Sequence, residues 1–188
     1  MQRQRTFKEY RAIDLGMLAI LLTLFEFIIV SAAKWWFPNE LYSVSLAAAL
    51  TTIVYMRWGW WGGLHAALAG FIYAFFSGGV LGQLLIYIAG NLFSLLAVPL
   101  LLKLGKERVR TNVWLSLLIP FLVLLLMQAG RAAVALLLGA APADVVGFFT
   151  TDSLSYVFTL VIIWIARKLD GVYEDQKHYL LRVNAREE

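Results

Sequence analysis

The chain contains no cysteine, which excludes a disulfide framework and any thiolate metal centre. Histidine is nearly absent too, at 2 residues, and no HExxH or His/Asp cluster has a metal-ligand spacing. No glycine-rich loop ends in Lys-Ser or Lys-Thr, so a phosphate-cradling nucleotide site of that kind is excluded. No GxSxG turn offers an activated serine. The stretch KLDGVYED at 168–175 carries acids. It lacks the spaced Asp/Gly/Ala-Arg pattern with which intramembrane phosphotransferases hold two metals. Charge is scarce as well: 15% of the 188 residues, against about 25% in an ordinary soluble domain.

What is abundant is apolar surface, at 61% of residues. One small soluble core cannot hide that much, and a bilayer can solvate it. A spanning helix needs about 20 mostly apolar residues. Six stretches are predicted as spans: 13–33, 42–56 (short), 60–77, 81–104, 113–138 and 153–167. The opening MQRQRTFKEYRAIDLG is basic but carries no small-residue cleavage pattern, so the first span reads as a retained helix. Lys34, Trp35 and Trp36 mark an interface after it. Residues 139–152, with Pro142, read as a loop.

Cationic residues confirm the alternation of sides. Arg3, Arg5, Lys8 and Arg11 precede the first span, and Arg57 joins the second to the third. Lys103, Lys106, Arg108 and Arg110 join the fourth to the fifth, and Arg167, Lys168, Lys177, Arg182 and Arg186 follow the sixth. Lys34 stands alone on the other side, and Arg131 lies within the fifth span. Positive residues collect in the cytoplasm. The expected architecture is an all-α membrane protein, a six-transmembrane-helix bundle with N- and C-termini cytoplasmic. Residues 1–12 form a cytoplasmic segment, 13–167 the membrane domain and 168–188 a cytoplasmic tail.

Ionisable and amide side chains within spans are costly and usually functional. They are Glu26, His65, Gln83, Asn91, Gln128 and Arg131. All but His65 fall in the outer half on this topology, with Asp152 at the outer end of the sixth span. Gln83, Tyr87 and Asn91 are spaced four apart on one helix, and Gln128 and Arg131 three apart on another, so each set shares a face. Two polar faces at one depth suggest an outward-opening cavity. Aromatic residues of the outer loops stand ready to cover it: Trp35, Trp36 and Tyr42 in the first, Phe148 and Phe149 beside Thr150 and Thr151 in the last. The candidate ligand-binding residues are therefore Arg131, Asn91, Gln128, Gln83, Tyr87, Glu26, Asp152 and Trp36. A structural reading stands beside this one. Arg131 can neutralise Glu26 or Asp152 as an ion pair, the amides can glue helices together, and the tryptophans fit an interfacial belt.

Small residues form two further faces that permit close helix approach in lipid. Gly62, Ala66 and Gly70 repeat every four residues in the third span and read as internal packing. Ala12, Gly16 and Ala19 lie near the inner end of the first span, where docking of a partner helix is an equal alternative.

With these residues in view, the opening YRAIDLGMLAILLTLFEFII, the turn YMRWGWWGGLHAALAG and the ending FFTTDSLSYVFTLVIIWIARKLDGVYEDQKHYLL resemble the substrate-binding S components of energy-coupling factor (ECF) transporters, in a group without an assigned substrate. The resemblance spans nearly the whole chain. It implies capture of a vitamin-like molecule or other micronutrient at a bacterial cell membrane. It implies no cofactor in this chain, and partnership with a transmembrane T component and two cytoplasmic ATPase subunits that use ATP. The family's docking surface commonly shows Ala-x-x-x-Ala on helix 1, and this chain departs from it with Ala12-x-x-x-Gly16 followed by Ala19. Two other classes compete: a small membrane scaffold of a cell-envelope or cell-shape complex, which needs no ligand pocket, and a stand-alone secondary carrier, whose polar residues should continue through the inner half.

Overall fold

The structure, a computed structural model, describes residues 6–36 and 44–187. Tyr42, expected in the outer loop, lies outside them. Every regular element among the described residues is helical. In chain order they are α1 (Phe7–Trp36), α2 (Ala47–Trp58), α3 (Gly62–Phe76), α4 (Leu81–Leu92), α5 (Ala97–Leu104), α6 (Lys106–Thr111) and α7 (Val113–Leu137). Then come the single turns α8 (Pro142–Val145) and α9 (Gly147–Thr150), α10 (Ser153–Ala166) and α11 (Gln176–Glu187).

Among the described residues, four stretches are long and apolar enough to cross a membrane: Phe7–Trp36, Leu81–Leu104, Val113–Leu137 and Pro142–Ala166. The expectation of six spans is thus met in its coarser form. The shortfall lies at α2 and α3. At 1.5 Å per residue, the 12 residues of α2 reach only about 18 Å, short of a hydrocarbon layer of about 30 Å. The reason is visible in its surroundings: every residue of α2 except Arg57 is buried in protein. A helix packed inside the bundle has no lipid thickness to match. By contrast α1 buries only Leu22, Glu26 and Val30, which suits a helix lying against lipid.

Glycine sets how closely the helices cross. A Cβ on Gly130 of α7 would sit 2.2 Å from the Gly90 carbonyl of α4, and one on Gly90 would meet the Arg131 backbone nitrogen at 2.5 Å. Only hydrogen fits between these two backbones, so α4 and α7 touch directly. The predicted packing role of the α3 face holds at Gly70, where a Cβ would lie 2.2 Å from the Tyr87 carbonyl. His65 is buried and its Nε2 sits 3.0 Å from the Leu15 carbonyl, tying α3 to α1.

The charged segments gather at one end of the bundle. Asp14 of α1 accepts from Arg57 Nη2 at 2.5 Å and Nε at 2.8 Å, and from Trp58 Nε1 at 2.5 Å. Arg57 also donates to the carbonyls of Gly171 and Val172. Tyr10 donates to Gln176 at 3.0 Å, and Lys106 bonds Asp175 at 2.6 Å. Residues 168–187, expected as a tail, therefore fold back onto the bundle, with Tyr173, Glu174 and Gln176 buried. Helix α1 begins at Phe7, so the second half of the expected N-terminal segment, residues 7–12, is continuous with the first span.

Candidate functional site

Toward the opposite end, four polar side chains from three places in the sequence meet. Arg131 lies 18 residues into α7, about 27 Å from its start. Its Nε donates to Asn91 Oδ1 of α4 at 2.9 Å. Its Nη1 donates to Gln128 Oε1 at 3.2 Å and to Asp152 Oδ2 at 3.0 Å. Gln128 Nε2 donates to the same Asp152 oxygen. All four residues are buried, at 0% exposed for Asn91 and Gln128, 3% for Arg131 and 4% for Asp152. Asn91 is anchored in turn, its Nδ2 donating to the Ala66 carbonyl of α3 at 3.1 Å.

Local structure places each group. The Gly90–Gly130 crossing brings the Arg131 backbone against α4, so the guanidinium reaches Asn91 within one side chain's length. The i, i+3 spacing puts Gln128 on the same face of α7. Asp152 occupies the residue before α10, where an aspartate ordinarily accepts from the helix's first amides. Here its side chain makes no such cap and turns to Arg131 instead. Tyr87, one turn before Asn91, lays its ring under the guanidinium with Cζ 4.6 Å from the ring centre, a cation–π contact. Phe148 of α9 meets the Tyr87 ring edge-on at 6.1 Å. An aromatic stack thus covers the cationic centre from the loop side.

The remaining candidates lie elsewhere. Gln83 is exposed and folds back to its own helix start, accepting from the Val80 amide at 3.2 Å. Although it shares a helical face with Tyr87 and Asn91, the free amides of α4 claim its side chain first. Trp36 is 68% exposed and stacks on Trp35 with ring centres 6.3 Å apart, in keeping with an interfacial belt. Glu26 is fully buried but joins a second cluster: its Oε1 accepts from Ser45 Oγ at 2.8 Å and from the Leu46 amide at 2.6 Å. The Ser45 amide donates to Ser155 Oγ at 2.9 Å. This cluster fastens α1 to the starts of α2 and α10. Ser45 and Ser155 escaped the sequence reading because lone serines in apolar runs carry no distinguishing signal. On α1, Ala12 and Gly16 are exposed and Ala19 is half-buried; nothing lies within 4 Å of a Cβ built on Gly16. That small-residue face is uncovered.

The main cluster offers an oriented cation, two amides and an aromatic face, and among the described residues no group of three or more His, Cys, Asp or Glu is placed to hold a metal. No family model, no curated protein and no solved structure matches this chain.

Proposed function

We propose that this chain is the substrate-capture subunit of an ECF-type transporter, binding a small vitamin-like or micronutrient molecule at the Arg131 cluster from outside the cell. On this reading it is a bacterial plasma-membrane protein of six membrane-embedded helices, α2 and α3 being the two short ones, with both termini in the cytoplasm. It is not an enzyme. A T component and two ATPase subunits supply the energy for release inward, and ATP is bound only by those partners.

The observation that carries the proposal is the buried set of Arg131, Asp152, Gln128 and Asn91 beneath a cover of Tyr87 and Phe148, at the end away from the charged segments. Polar groups this costly to bury mark functional positions in membrane proteins. The open Ala12/Gly16 face supports docking of a partner helix, since close packing drives association in lipid. One observation favours the scaffold reading: each side chain of the cluster already bonds another, which suits structural glue. Mass spectrometry of small molecules retained by the detergent-purified protein separates the two. A molecule held by the wild type and lost from folded Arg131→Ala supports capture. No retained molecule in either protein, with normal assembly into a cell-envelope complex, supports the scaffold.

A further inference from the structure

The Arg131 cluster has a direction. Asn91 Oδ1 and Gln128 Oε1, the two amide oxygens, both accept from Arg131 and are used in aiming it. The amide orientation of Gln128 is chemically forced, because an NH2 group cannot face a guanidinium N–H. Two donors, Arg131 Nη1 and Gln128 Nε2, therefore converge on one point, and Asp152 Oδ2 occupies that point.

The two halves of the ion pair also differ in how they are held. Arg131 sits within a 25-residue helix, 6 residues before its last residue, at a glycine crossing where no side chain separates the backbones. It is bonded by Asn91 and packed on Tyr87. Asp152 lies between a run of single helical turns, Pro142–Val145 and Gly147–Thr150, whose residues are mostly exposed, and the start of α10. The fixed member is the cation and its donors. The carboxylate is the member next to the exposed turns.

We propose that Asp152 is a stand-in for the ligand: the captured molecule carries a carboxylate, or a like planar anionic group, that takes the place of Asp152 on Arg131 Nη1 and Gln128 Nε2. This deepens, and rests on, the capture reading above. Displacing Asp152 moves its carboxylate toward water and carries the 142–152 segment with it, so binding an anion and opening the loop are one event. A ligand without an acceptor gains nothing here, because the two converging donors would stay unpaired, and a neutral acceptor lacks the charge that replaces Asp152 beside the guanidinium.

The test uses three ring compounds that differ in charge: benzoate, benzamide and benzylamine. Affinity is measured by titration on the full chain in detergent for wild type, Asp152→Asn and the double variant Arg131→Gln/Asp152→Asn. Asp152→Asn removes the internal competitor, so benzoate should bind at least about tenfold tighter than to wild type, while benzamide and benzylamine change little. The double variant removes both charges together, avoids a lone buried ion, and should lose the benzoate preference. Equal affinity of Asp152→Asn for benzoate and benzamide overturns the proposal, as does tighter binding of benzylamine to wild type than to Asp152→Asn. A molecule that co-purifies with the wild type and bears no acidic group overturns the anionic class while leaving capture intact. No co-purifying molecule and no binding of any probe overturn both.

Discussion

The two ends of the molecule hold the same kind of bond in opposite settings. Near one end a single guanidinium–carboxylate pair, Arg131 with Asp152, has side chains only 4% and 6% exposed. At the other end Arg57 pairs with Asp14, Lys106 with Asp175, and Arg182 with both Asp170 and Glu174. The Arg182–Asp170 side chains are 32% and 64% exposed. That end also encloses an open cavity of about 570 Å³ between Lys106, Arg110, Asp175 and His178. An exposed pair contributes about 0–1 kcal/mol and is screened by salt. A sealed pair cannot be broken singly without leaving a bare charge, which costs about 3–5 kcal/mol. The charged end is built from several ties that grade from part-buried, Arg57 with Asp14 at 10% and 15% exposed, to open, Arg182 with Asp170, and the cluster end from one sealed pair.

The sharpest break in that comparison is Arg131→Ala. It takes the cation away from a buried Asp152, leaving that carboxylate its bond from Gln128, and removes three donated bonds. Thermal unfolding in detergent should show a loss of about 3–5 kcal/mol. In protein that remains folded, binding of the captured molecule should weaken at least about tenfold. A loss no larger than that of an exposed pair at the charged end would erase the distinction between the two ends. Next in size is Gly130→Ala. Its added methyl meets backbone, which cannot rotate away, so α4 and α7 must separate. We expect about 1–3 kcal/mol of destabilisation, with weaker ligand binding because Asn91 and Arg131 move apart. The same glycine-to-alanine exchange at Gly16, where nothing lies within 4 Å, should be neutral by the same assay.

How much of this was legible depended on whether a residue's partner could be inferred from spacing. Gln128 and Arg131 share a helical face by arithmetic alone, and depth puts Asn91 at their level with Asp152 above them at the outer end of the sixth span. Gln83 obeyed the same arithmetic yet went to its own helix start, because a free backbone amide three residues away outcompetes a distant cluster. Glu26 was legible as buried but not as bonded to Ser45 and Leu46, since those partners are set by how α2 enters the bundle. The spans of α1, the stretch 81–104 and α7 followed from hydropathy to within a few residues at most boundaries. Lengths of α2 and α3 did not speak for themselves, because a buried short helix and a tilted spanning one share a composition. The C-terminal segment was read as a tail from its polarity. Its burial comes from specific bonds, chiefly those of Arg57 to the Gly171 and Val172 carbonyls, which composition cannot register.

A third prediction turns the comparison toward assembly. Gly16→Trp adds bulk to an uncovered face of α1, so the isolated chain should keep its stability within about 0.5 kcal/mol and keep its ligand affinity. On the proposed transporter reading, co-purification with the T component and ATPases should be lost, because bulky side chains prevent close approach in lipid. Normal recovery of the complex would place the docking face elsewhere.

The smallest effect belongs to the charged end, and its sign can be worked out in advance. Asp175 is part-buried, which alone would raise its pKa. The Lys106 ammonium at 2.6 Å and the bonds from His178 outweigh that burial and hold the carboxyl below its ordinary value. A carboxyl whose folded pKa is depressed contributes stability above its unfolded pKa and loses it as pH falls through the folded one. Glu107, held low first by its bond from Arg110, titrates in the same direction, and Glu174 faces the same cavity with Arg182. The comparison of wild type with Asp175→Asn isolates the one group. At neutral pH the variant should be less stable by up to about 1 kcal/mol, and by less in high salt. The difference should close as the pH falls below the ordinary aspartate range, when wild-type Asp175 is protonated too. The Arg131–Asp152 pair gives the contrast, since burial shields it from salt: the cost of Arg131→Ala should hold across the salt series that erases the Asp175 effect. If both effects fade together with salt, the two ends share one electrostatic environment and the sealed character of the cluster is lost.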